Sequence, residues 1–356
     1  MTQVCLMGDV AFTGILCSEP ELNKARFREI CPILQAADMV FANLEVPVRV
    51  DRSVNEEKNF IFYSNRETTR DLISMLNIGC VSLANNHIFD CKHNGLRATI
   101  ELLNDMGVAH TGAGWKKTHI EPVILKLGDS KIGFLAYVDK RTNPCTERYA
   151  GVFVNYFEPQ RCAEEVRQLK KCVDTVICSI HWGVDYSIFP TPNQRTVAFD
   201  LVEAGVDILM GHHPHTLQPY EQYKGAFIYY SLGGLVFGDY IIRGKMRALF
   251  RRTKKSVVVQ HRLSKGTISF CATRELKGNY IRLASRDYSK WSKRAWHLFG
   301  LKVKTPIAAF LFDFYERVIS RVFEYFFGYY QNPCVRLVQL SNLRKVARLF
   351  RDLKRE

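Results

Sequence analysis

The chain has 356 residues, 47% of them hydrophobic and 24% charged, which is ordinary for a soluble protein and enough to bury one large core or two smaller ones. No apolar run reaches the roughly 18 uninterrupted residues of a membrane span, and the N-terminus opens on a strand-like run carrying Asp9 rather than on the basic head of a signal peptide. The net charge of +15 is unevenly spread: residues 241–356 hold 27 Lys and Arg against 7 Asp and Glu, and residues 1–240 hold 23 against 28. That imbalance favours an anionic partner over a merely solvated face. The 11 cysteines form no Cys-x-x-Cys pair and read as reduced thiols of a cytoplasmic protein.

In chain order, Val4–Met7 is a strand candidate that runs into Gly8-Asp9. Pro20–Ala37 reads as a helix, with Leu22, Ala25, Phe27, Ile30, Ile33 and Leu34 near helical spacing. Met39–Ala42 leads into Asn43-Leu44-Glu45, and Thr68–Leu76 is a second helix. Cys80–Ala84 leads into Asn85-Asn86-His87 with Asp90 beyond, and Leu96–Met106 is again helical. Leu125 and Leu127 flank a turn at Gly128-Asp129 before Lys131–Tyr137, the pattern of a hairpin. Ala163–Lys171 is a helix, the strand Thr175–Ile180 ends at His181-Trp182-Gly183, and Gln194–Ala204 is the next helix. Val206–Met210 then runs into Gly211-His212-His213-Pro214-His215, and the strand Ala226–Leu232 ends in Gly233-Gly234. Strands mixed with helices and hairpins predict an α/β sandwich rather than an all-parallel doubly wound sheet.

Beyond Asp239 the character changes. Arg243–Lys255 is basic, and Val257–Gln260 with Thr267–Thr273 reads as a pair of strands. From Ser289 the chain is helical in pattern, aromatic and basic, and its last helix, about Leu340–Leu353, sets Leu340, Leu343, Ala347 and Phe350 against Arg344, Lys345, Arg348 and Arg351. Such a helix suits an anionic membrane surface, a partner, or packing on the domain. The expected organisation is a domain over 1–240, a basic strand region over 241–288 that completes or flanks it, and a basic aromatic helical extension over 289–356.

The segment Gly211–His215 puts three of the chain's ten histidines into four positions directly after a buried-strand pattern. Taken singly, Asp9 or Asn86 serves equally well as a helix cap or turn residue. Polar clusters of Asp, Glu, Asn, His and His-x-His at successive strand ends are harder to explain as capping, and they point to a metal site at a sheet edge.

These motifs together resemble the bacterial capsule-synthesis CapA family, also called poly-γ-glutamate synthesis proteins, within the calcineurin-like metallophosphoesterase superfamily. The resemblance rests on Met7-Gly8-Asp9, Asn43-Leu44-Glu45, Ser82–His87, Ser179–Gly183, Pro190–Arg195 and Gly211–His215, and covers most of residues 4–239. It implies a four-layer α-β-β-α sandwich with one or two divalent metal ions (Mn, Zn or Fe) on loops at the strand ends. By the same resemblance Asp9 holds one metal, Glu45 bridges, Asn86, His181 and His213 complete the second, and His215 returns to the first. His87 takes the place of the histidine that protonates the leaving oxygen, and Asn43, His212, Gln194 and Arg195 are expected at the substrate. Between His212 and His213 as ligand the sequence leaves the choice open. Two departures bear on occupancy: the superfamily's Asp-x-His reads Asp9-Val10-Ala11 here, and a usual Ser-Leu-Gly-Asn reads Ser231-Leu232-Gly233-Gly234.

The function expected is a metal-dependent hydrolase or transferase in synthesis or processing of an anionic envelope polymer, either poly-γ-glutamate or a phosphate-containing chain. The rival reading is a non-catalytic polymer-binding or assembly protein that docks a capsule synthase or the membrane through residues 289–356. Nucleic acid is the less favoured partner, since no binding module is recognised. The expected location is cytoplasmic or peripheral at the inner face of the membrane.

Overall fold

A computed structural model describes residues 2–302, apart from 59–60, 143, 145, 147–148, 239, 243–244, 248–250 and 264–265. Two sheets carry the chain. The first runs, edge to edge, Tyr280–Leu283, Thr267–Leu276, Lys255–Arg262, Gln3–Ala11, Met39–Leu44, Ile78–Ser82 and Ala109–Thr111, with Gly234–Phe237 pairing parallel to the end of Gln3–Ala11. The second runs Tyr220–Tyr223, Ala226–Tyr229, Ile208–His212, Thr175–His181, Ser130–Val138 and Val123–Leu127. Its four inner strands are parallel, and a hairpin closes each edge.

The inner strands read as unbroken apolar runs because both of their faces are covered. Between the sheets one core packs Leu6, Phe41, Val81, Phe134, Ile177 and Met210. The outer face of the first sheet is covered by the helices Arg66–Met75 and Lys92–Asp105, which bury Leu72, Ile73, Leu96, Ile100 and Leu103. A second core forms where Pro159–Lys170 and Pro192–Ala204 lay Cys162, Val166, Ala198 and Leu201 on Val176, Cys178 and Leu209. The layers are α-β-β-α, as the resemblance implies.

Two expected elements change shape. Pro20–Ala37 is not one helix but three short pieces, Pro20–Leu22, Asn23–Phe27 and Cys31–Gln35, with Pro20 and Pro32 each opening a new turn. The strand expected over Ala226–Leu232 stops at Tyr229. Beyond it the chain crosses so close to the neighbouring strand that a Cβ on Gly211 would lie 1.9 Å from the Tyr230 carbonyl oxygen.

Part of the basic extension belongs to the folded body. Helix Tyr288–Lys302 lies along the outer edge of the second sheet, where Ser292 Oγ donates to the Tyr220 carbonyl at 2.8 Å and Trp296 Nε1 donates to it at 2.8 Å. Tyr288 donates to the Gln218 carbonyl at 2.6 Å. These bonds satisfy an edge strand that would otherwise face solvent. The helix expected over Leu340–Leu353 lies outside the described residues.

Candidate metal centre

The carboxyl ends of strands from both sheets converge on one buried spot. Gln3–Ala11 pairs with Lys255–Arg262 as far as Leu6 and with Gly234–Phe237 from Asp9 on, and the second pairing has a register break between Asp9 and Val10. The bulge turns the Asp9 side chain inward. The approach depends on Gly8, where a Cβ would meet the Gly233 carbonyl oxygen at 1.8 Å. Met39–Leu44 delivers Asn43 and Glu45, Thr175–His181 ends on His181, and Ile208–His212 runs into the His213–His215 loop. Asp9, Glu45 and His181 each offer a donor atom within 4.8 Å of the other two, and all three are buried.

A polar lattice holds these groups. Asn43 Nδ2 lies 2.9 Å from Asp9 Oδ1, 3.4 Å from Glu45 Oε2 and 3.3 Å from His181 Nδ1. Asn85 Nδ2 in turn donates to Asn43 Oδ1 at 3.1 Å and to the Leu44 carbonyl at 2.8 Å. Asn43 is thus an internal strut between two carboxylates, where sequence reading expected a substrate contact. Asn85, the member of the Asn85-Asn86 pair given no role from sequence, is what orients it. Asn86 Oδ1 lies 3.1 Å from His181 Nε2.

The histidine loop is strained, since His213 and His215 sit at φ 94° and 55°, a region that side-chain-bearing residues avoid. His212 Nδ1 lies 2.9 Å from Asp9 Oδ1, His215 Nδ1 lies 3.1 Å from Asp9 Oδ2, and the His213 backbone N–H donates to Asp9 Oδ2 at 3.3 Å. The His213 ring instead faces His181, with centroids 4.9 Å apart, and Asp185, at 3.4 Å from its Nε2. Both residues offered as alternatives therefore line the centre, His212 on the Asp9 side and His213 on the His181 side.

Burial pushes the Glu45 carboxyl well above its ordinary pKa, and the negative charges of Asp9, Asp185 and Asp90 push the same way. Burial acts upward on Asp9 too, but hydrogen bonds and charge from His212 and His215 outweigh it and hold Asp9 well below the usual range. Burial also drives His181 well below its ordinary value, helped by His213. Glu45 Oε1 lies 3.7 Å from His181 Nε2 and 3.5 Å from His215 Nε2 yet accepts no hydrogen bond. His212 Nε2 and His213 Nδ1 are likewise buried without a hydrogen-bond partner. An unsatisfied carboxylate oxygen among imidazole nitrogens costs stability unless something positive joins them. Oxygen and imidazole donors in that mix fit a divalent Zn, Mn or Fe ion.

Beside the cluster, His87 Nδ1 donates to Asp90 Oδ2 at 2.7 Å, which leaves Nε2 as the free end of the ring. Burial lowers the His87 pKa, with Asp90 opposing the shift. Phe62 meets the ring edge-on at 4.7 Å, and Lys58 sits 4.0 Å from Asp90 Oδ1 while donating to the Asn86 carbonyl. Neither Phe62 nor Lys58 has a motif that sequence reading would single out.

Two expected substrate residues are engaged in contacts within the protein, Gln194 with its amide 2.8 Å from where a Cβ on Gly183 would lie. Gln194 closes a capping box with Thr191 at the start of Pro192–Ala204, where Gln194 N donates to Thr191 Oγ1 at 3.2 Å. Arg195 is on the outer face, with Nε 3.0 Å from Glu221 Oε1 and its guanidinium over Phe199 and Trp296. Their motif is a helix start, and its regularity comes from capping and packing. At Gly234, by contrast, a Cβ would meet nothing closer than 3.7 Å, so the position departs from the family pattern without crowding the centre.

A family model described as "Bacterial capsule synthesis protein PGA_cap" matches residues 3–239. The chain belongs to this family. The PGA biosynthesis protein CapA of Bacillus subtilis (strain 168) is 31% identical over 259 residues, 69% of this chain and 63% of that protein. The capsule biosynthesis protein CapA of Bacillus anthracis is 29% identical over 251 residues, 67% of this chain and 57% of that protein. This PGA_cap chain therefore spans less than two thirds of either relative. Among solved structures, the calcineurin-like phosphoesterase YfkN from Bacillus subtilis superposes with a TM-score of 0.40 at 12% identity, over 84% of this chain and 97% of that one.

Proposed function

We propose that this PGA_cap protein is a metal-dependent hydrolase or transferase that acts on an anionic envelope polymer, either poly-γ-glutamate or a phosphate-containing chain. The observation that carries the reading is the buried Glu45 Oε1, which accepts no hydrogen bond amid Asp9, His181 and His215. Asp9, Glu45, Asn86, His181, His213 and His215 would hold the cation, with His212 beside Asp9. A divalent ion bound there supplies Lewis acidity toward a substrate oxygen. The chain itself does the rest. Asn43 and Asn85 fix the carboxylates, and Phe62 packs edge-on against the His87 ring. Asp90 keeps the His87 proton on Nδ1, so a second proton taken up at Nε2 is the one available to a leaving oxygen. The family name and the CapA relatives support a role in capsule polymer synthesis. We further propose that residues 303–356 attach the protein to an anionic membrane.

The test is metal analysis of full-length protein purified without chelator, followed by turnover of a generic phosphodiester and of a γ-glutamyl amide with Mn or Zn added. Bound metal with turnover of either substrate supports the enzyme. Ala11, where the superfamily pattern has a ligand histidine, is the observation that favours the rival reading of a polymer-binding assembly protein, and metal-free protein inert toward both substrates would establish it.

A further inference from the structure

The loop that follows His181 contributes a carboxylate that no motif of the sequence singled out. Asp185 Oδ1 lies 3.4 Å from His213 Nε2, and its side chain is 41% exposed, so it stands at the mouth of the centre. It is held there by its own loop. The Trp182 backbone N–H donates to the His212 carbonyl at 3.1 Å, and the Tyr186 N–H donates to the Pro214 carbonyl at 2.9 Å. Gln218 Nε2 donates to the Ser187 carbonyl at 3.0 Å, and Thr216 Oγ1 donates to the same oxygen. The loop is therefore laced to residues 212–218 on both sides of Asp185. Tyr186 takes a φ of 63°, so that lacing imposes a backbone conformation a tyrosine avoids. Opposite Asp185, the His213 Nδ1 and the Glu45 Oε1 are buried without hydrogen-bond partners.

We propose that Asp185 is a further ligand of this centre, gathering a divalent cation on its His213 side. The inference rests on the cation-binding reading above. With no cation present the Asp185 carboxylate, beside His213 at the mouth of the centre, acts on Glu45 in the same unfavourable sense as Asp9 and Asp90. A cation converts that repulsion into attraction. A purely structural aspartate has the opposite signature, since its removal weakens the fold whether or not metal is bound.

The experiment uses full-length wild type, Asp185→Asn and Asp185→Glu, each stripped with chelator and titrated with Mn2+ and with Zn2+ by calorimetry and by thermal shift. In chelator, Asp185→Asn should melt at or above the wild-type temperature. On titration its affinity should fall by at least about tenfold, with a smaller metal-induced rise in melting temperature, and Asp185→Glu should recover part of the loss. Wild-type affinity in Asp185→Asn, or a lower melting temperature in chelator, would overturn the assignment. Wild-type protein that binds neither metal would instead overturn the cation reading on which it rests.

Discussion

His181 and His215 are the two imidazoles whose Nε2 atoms flank Glu45 Oε1, at 3.7 and 3.5 Å. Replacing both with alanine should remove most bound Mn, Zn or Fe while the fold persists, because neither ring is part of the two apolar cores. Unchanged metal content by elemental analysis would count against the centre. His87 makes a different prediction. Its ring leans on Asp90 and Phe62, so His87→Ala should keep the metal and lower turnover by about 10²–10⁴-fold, the range of general acid catalysis. Full activity toward a substrate with a poor leaving group would exclude that role. The types Asp, Glu, Asn and His at strand ends were legible in the sequence because a sheet edge puts them where strands stop. The work of each was less legible. Asn43 and Glu45 are two residues apart, and the sequence has no way to say that the first braces the second. Asp185 and Lys58 sit in loops without periodicity, and only the fold brings them to the centre.

At the scale of elements, the buried histidine of Lys255–Arg262 gives a prediction separate from the metal. His261 Nε2 is 2.8 Å from the Tyr229 hydroxyl, with Phe227 edge-on, and burial pushes its pKa down to about 4. The folded state therefore excludes a proton that the unfolded chain binds below about 6.5. Stability from this residue is complete above about pH 6.5 and is lost as pH falls towards 4, by at most about 3 kcal/mol. His261→Gln, which can keep the hydroxyl bond without titrating, should flatten the melting temperature between those values. A wild-type slope in the variant would mean that His261 does not titrate with unfolding. The strand itself was legible from its alternating pattern, although its place beside Gln3–Ala11 was not. The helix expected over Pro20–Ala37 is broken where Pro20 and Pro32 each open a new turn, and a long-range contact fixes the middle piece. Arg26, within Asn23–Phe27, is buried with its guanidinium donating to the carbonyls of Glu19 at 2.7 Å and Gly278 at 2.9 Å.

For the whole molecule, the question is where the positive charge sits. Of the 27 Lys and Arg beyond residue 240, 17 fall in 241–302 and 10 in 303–356, where 5 Asp and Glu oppose them. Most of the basic charge therefore belongs to the stretch that includes three strands of the first sheet and the helix docked on the second. A cut at residue 288 would strip Ser292 and Trp296 from Tyr220 and confuse unfolding with lost binding. The informative truncation ends at 302. Over 340–356 six Lys and Arg face two Asp and Glu, and each cation near an anionic surface is worth about 1 kcal/mol at low salt. The spacing of Leu340, Leu343, Ala347 and Phe350 in the sequence predicts an apolar side that would add insertion at the interface. No helix among the described residues is long and apolar enough to cross a membrane. Full-length protein should co-sediment with phosphatidylglycerol vesicles at low salt and be released as salt rises towards roughly 0.5 M, where screening reaches a few Å. The 1–302 protein should pellet markedly less at every salt. Equal pelleting of the two would assign the attraction to the folded basic region 241–302 and leave residues 303–356 with no part in it.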